Sequence, residues 1–64
     1  SQYTEKLGVY FRLIDCQTAS RQYAEAEKSC RSALKLGIRT LGLRNRLKEL
    51  LNKTLDLQGK PREK

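Results

Sequence analysis

Sixty-four residues allow one small domain, near the lower limit at which an apolar core holds without staples. A composition of 38% hydrophobic and 33% charged residues suits a folded domain better than a disordered one, and a net charge of +7 points toward polyanions or acidic partners. No apolar run is long enough to span a membrane; without His, and with only two Cys, the chain cannot close a zinc site by itself.

Helix 1 is expected over residues 3–17. Tyr3, Leu7, Tyr10, Phe11 and Ile14 recur at helical spacing and share one face. Val9, Leu13 and Cys16 form a second stripe beside it. A helix apolar over more than half its circumference is either the central helix of so small a domain or part of an interface. With no fourth helix to cover Val9, Leu13 and Cys16, that stripe implies a homodimer. Gly8 within helix 1 costs helix propensity, on the order of 1 kcal/mol relative to Ala.

Residues 17–20 (Gln-Thr-Ala-Ser) are small and polar and mark a turn, with Ser20 the candidate N-cap of helix 2. Helix 2 is expected from Arg21 or Gln22 to Leu36. Tyr23, Ala26, Cys30, Ala33 and Leu34 share its inner face, and the small residues among them admit a close neighbour. Lys28, Arg31, Ser32 and Lys35 share the outer face. The antiparallel arrangement places Cys30 opposite about residue 10. Cys16 is six residues away along the helix, roughly 9 Å, too far for a disulfide. Two free thiols imply an intracellular reducing compartment, cytoplasm, nucleoid or nucleus.

Gly37 ends helix 2, since glycine accepts the left-handed conformation that stops a helix. Helix 3 starts between Thr40 and Gly42 and runs to Asp56 or Leu57, with Leu43, Leu47, Leu50, Leu51, Thr54 and Leu57 as its apolar stripe. The domain therefore covers residues 1–58, and the Gly- and Pro-containing residues 59–64 read as a disordered basic tail. The fold class is all-α: a small three-helix bundle in which helices 2 and 3 form a helix-turn-helix.

The charge is concentrated at the corner between those helices. From Lys28 to Lys48 there are seven basic residues and no acidic one. Within that run, Ala33, Leu36, Gly37, Ile38, Leu43 and Leu47 fall into a fixed spacing: a small residue for the interhelical contact, Gly-Ile for the turn, and aliphatics that hold the second helix. The segment resembles the helix-turn-helix of the factor-for-inversion-stimulation (Fis) type. That resemblance implies a transcriptional or nucleoid-type regulator. Arg39, Thr40, Arg44, Asn45 and Lys48 then match the reading face toward the major groove, where Arg and Asn can pair bidentately with base edges. Lys28, Ser29, Arg31 and Lys35 would meet the phosphate backbone. The chain departs from the family's pattern in Glu27-Lys28, where a Gly-Asn turn is usual, in exposing Leu41 and Gly42, and in its longer third helix.

A second resemblance competes. Tyr23, Ala26, Cys30, Ala33 and Leu34, with Tyr10 and Leu13, match a tetratricopeptide-like hairpin, with helix 3 as its capping helix. It implies a protein–protein interaction module, its partner an acidic protein. Enzyme chemistry finds no support in either reading: the carboxylates are scattered and no phosphate-binding glycine loop is present. No cofactor is implied.

Overall fold

The computed structural model describes residues 2–63, with the side chains of residues 2–4 outside the description. It contains three helices: α1 (Gln2–Ala19), α2 (Tyr23–Leu34) and α3 (Leu41–Gln58). Among the described residues there is no strand, and the domain is an all-α bundle. Tyr3, expected on the apolar face of helix 1, lies among the side chains not described.

The middle member is α2, not α1. It packs against both neighbours, while α1 and α3 meet only marginally. The reason lies in residue size. The buried face of α2 is Ala26, Ser29, Cys30 and Ala33, all small, so a helix can approach it closely from either side. The bulk comes from the flanks: Leu7 and Ile14 of α1, Leu47, Leu51 and Leu55 of α3, and Ile38 from the connection join α2's Ala26, Cys30 and Ala33 in one buried cluster.

The α1–α2 junction closes differently from the expectation. Arg21 N–H donates to Thr18 O and Gln22 N–H to Gln17 O, the paired bonds of a Schellman ending, and Arg21 takes the left-handed conformation at φ 62°. Ser20 is therefore part of the end of α1 and does not cap α2. Gln22 occupies the N-cap position and makes no side-chain cap bond. The same ending recurs after α3, where Gly59 at φ 73° is the left-handed residue and Lys60 N–H reaches Leu55 O. Glycine suits that conformation; Arg21 adopts it without that advantage.

Both cysteines are free, Cys16 exposed and Cys30 buried. The expected register misplaced them. The Ser29 hydroxyl donates to Gln17 Oε1 at 2.7 Å, so this part of α2 lies opposite the end of α1 instead of its middle. Facing keeps the thiols apart: Cys16 points outward, whereas Cys30 sits in the core, where burial pushes its thiol up to about 11.

Residues 59–63, read from sequence as a free tail, make defined contacts. Arg31 forks onto the Glu63 carboxylate, and Asn52 exchanges hydrogen bonds with the Glu63 backbone, its amide donating to the carbonyl at 3.0 Å and its carbonyl accepting from the N–H at 2.8 Å. Lys60 reaches Glu27 at 3.2 Å, and Arg62 pairs with Asp56 at 3.3 Å. Lys64 lies outside the described residues.

Candidate nucleic-acid interface

The structure divides the basic run at the end of α2. In the first part the cations have carboxylates beside them. Lys28 lies 3.7 Å from Glu25, a loose pair on an exposed face. Arg31 is held on two sides, by Glu27 at 3.0 Å and by Glu63. Glu27 in turn accepts from Gln58 Nε2 at 2.9 Å and from Lys60. These donors, Gln58 first and then Arg31 and Lys60, pull the Glu27 carboxyl down from its usual 4.5 to about 2. Arg31 is thus the centre of a clamp that fastens the chain end to α2.

Ser29, expected at a phosphate, is buried and spends its hydroxyl on Gln17 of α1. It is not available to an external ligand. The sequence misled here because Ser29 continues the small-residue face of α2, and a buried hydroxyl needs only one well-placed acceptor to be tolerated there.

The second part is different. Lys35, Arg39, Arg44, Arg46 and Lys48 are all exposed, and among the described residues none makes an ion pair. The six residues 35–40 connect α2 to α3. Gly37 turns the chain at φ 71°, and Ile38 is buried, pinning the connection to the core. Thr40 is the extended N-cap residue of α3, and its hydroxyl makes no cap bond. Arg44 and Lys48 stand one turn apart and so project from the same side of α3. Lys48 borders a shallow groove shared with Leu34, Leu51, Asn52 and Glu63. Asn45 is exposed on the outer side of the helix.

Arg46 was absent from the expected contact set. Its guanidinium lies 5.1 Å from the centre of the Phe11 ring, a cation–π contact that steadies it while leaving it exposed. The missing signal was tertiary: nothing local places Phe11 of α1 under a residue of α3.

The start of α3 breaks a local rule. A helix N-terminus carries partial positive charge and usually gathers Asp or Glu. Here the first turn has no acidic residue, and Arg39 and Arg44 flank it. Free first-turn amides with an arginine on either side are a combination suited to an anion. Among the described residues no cluster of His, Cys, Asp or Glu could hold a metal ion.

The stripe expected on helix 1 is on the surface: Val9 is 62% and Leu13 41% exposed, Cys16 is exposed beside them, and Val9 and Leu13 share a groove with Leu36 of the α2–α3 connection. Among the described residues no helix is long and apolar enough to cross a membrane. Comparison with protein-family models, with curated proteins and with solved structures returns no match in any of the three.

Proposed function

We propose that this protein binds duplex DNA through the corner formed by residues 35–40 and the first half of α3. The observation that carries the reading is five exposed cations that make no ion pair among the described residues, Lys35, Arg39, Arg44, Arg46 and Lys48, in the connection and first half of α3, a helix whose N-terminus is uncapped. Cations placed against the helix dipole cost stability locally; a polyanion offsets that cost. Lys35 and Lys48 supply phosphate contacts, while Arg44 and Asn45 are the side chains with the donor geometry to read base edges. Arg31 and Ser29 are left out of the site, since both are engaged within the chain. Two free thiols fit a reducing, nucleic-acid-containing compartment.

The test is a comparison of affinities for a selected site and for random duplex. Arg44→Ala or Asn45→Ala lowers the ratio of the two, by roughly 1–3 kcal/mol if the residue reads a base, while Lys35→Ala weakens both alike. Equal losses from all three substitutions would remove α3 as a reading helix, and absence of binding at low salt would remove the proposal.

A second reading is favoured by one observation. The connection of six residues is longer than the three- or four-residue turn of a compact helix-turn-helix, and α2 lies between its two neighbours as in a helical hairpin with a capping helix. In that reading the same corner receives an acidic protein. Binding of acidic peptides in preference to DNA at matched salt distinguishes it.

A further inference from the structure

The outward face of α1 has a property that the periodicity of its apolar residues does not reveal. Glu5, Gly8, Val9 and Arg12 line one shallow notch on the surface. Four residues at this spacing form the diamond on a helix into which a side chain from a facing helix inserts. Gly8 leaves the notch open, since a Cβ there would meet nothing within 4 Å among the described residues. Packing among the described residues therefore gives no reason for a glycine at a helix-interior position, where Ala has the higher helix propensity.

The diamond is also self-complementary. A two-fold axis perpendicular to α1, passing between Gly8 and Val9, sets two copies of the helix antiparallel. Glu5 of one copy then faces Arg12 of the second copy, and Val9 of each enters the hole left by the other's Gly8. Both charged residues are free for this, as neither Glu5 nor Arg12 makes an ion pair within the described chain. Charge allows the approach as well: Glu5 and Asp15 balance Lys6 and Arg12 on α1, so the excess positive charge lies on the rest of the molecule. The neighbouring groove, lined by Glu5, Lys6, Val9, Tyr10 and Leu13 of α1 with Leu36 of the α2–α3 connection, lacks this symmetry; an axis through its α1 part would set Lys6 against Leu13.

We infer that the partner for this face is a second copy of the chain, joined through an antiparallel α1–α1 pair centred between Gly8 and Val9. One helix pair makes a small interface, so the dimer is weak and forms at high micromolar concentration. The inference does not depend on DNA binding.

Sedimentation equilibrium over a concentration series, with circular dichroism to verify folding, tests it. Glu5→Arg and Arg12→Glu each set like charges together and weaken the dimer at least tenfold. The double variant Glu5→Arg/Arg12→Glu restores it to within a few-fold of wild type. Gly8→Leu fills the notch and weakens the dimer at least tenfold, with thermal stability equal to or above wild type because its Cβ finds open space among the described residues and Leu favours the helix more than Gly does. A wild-type protein that stays monomeric at millimolar concentration would overturn the proposal. So would a dimer that withstands both charge reversals, or a double variant that is no better than the singles.

Discussion

Arg31 and Arg39 are the same residue type, eight positions apart in one uninterrupted basic run, yet they sit in opposite circumstances. Arg31 is gripped by Glu27 from its own helix and by Glu63 from the chain end. Arg39, with Lys35, Arg44, Arg46 and Lys48, is exposed and makes no ion pair among the described residues. A basic run is therefore not a binding surface until tertiary structure has subtracted the cations it uses itself. What remains here lies on the connection from α2 to α3 and the first half of α3.

Both halves of the run hang on one core, so the largest effect comes from breaking that core. Leu47 is fully buried on the same helix that carries Arg44 and Lys48. Leu47→Ala costs about 2–5 kcal/mol, enough to unfold much of a domain this small. Helicity, the Arg31 clamp and DNA binding are expected to fall together in chemical denaturation and binding assays. Leu57→Ala, at a position 45% exposed, leaves all three nearly intact.

A change at the start of α3 sharpens the comparison by moving stability and binding in opposite directions. Thr40→Asp supplies the missing cap and an acid for the helix dipole, stabilising the fold by about 0.5–1 kcal/mol. The same carboxylate sits beside Arg39 and Arg44 and lowers DNA affinity roughly tenfold, about 1.4 kcal/mol. A melting temperature and an affinity that rose together would argue that the uncapped N-terminus has no role in binding an anion.

Acid probes the other half. The folded-state value for Glu27, about 2, lies below its usual 4.5, so the stabilisation it contributes is present above pH 4.5 and is lost as pH falls toward 2. Glu63 is shifted in the same direction by Arg31. Thermal melts across that window are expected to show a falling melting temperature, and Glu27→Gln to reduce the slope.

The helices and the turn at Gly37 were legible because they rest on local patterns: i, i+4 apolar spacing and a residue tolerant of positive φ. The choice between neighbours on a stripe was not. Leu55 and Leu57 both continue the periodicity of α3, but only Leu55 is buried, because the covered flank depends on where α2 lies. Ser29 and the chain end escaped for a related reason. Their partners, Gln17 and Arg31, stand 12 and 32 positions away, and no local pattern encodes such a meeting. The basic corner was legible as a concentration of charge; which of its members were already paired was not.

The most direct test of that distinction is the salt dependence of DNA binding, measured for wild type and for single alanine variants. Each phosphate contact contributes about 0.9 to the slope of log K against log salt concentration. Lys35→Ala, Arg39→Ala and Lys48→Ala are each expected to flatten the slope by about that amount. Arg31→Ala is expected to lower thermal stability and leave the slope unchanged. Equal flattening by Arg31→Ala and Arg39→Ala would contradict the division of the basic run, and a wild-type slope near zero would contradict binding through it.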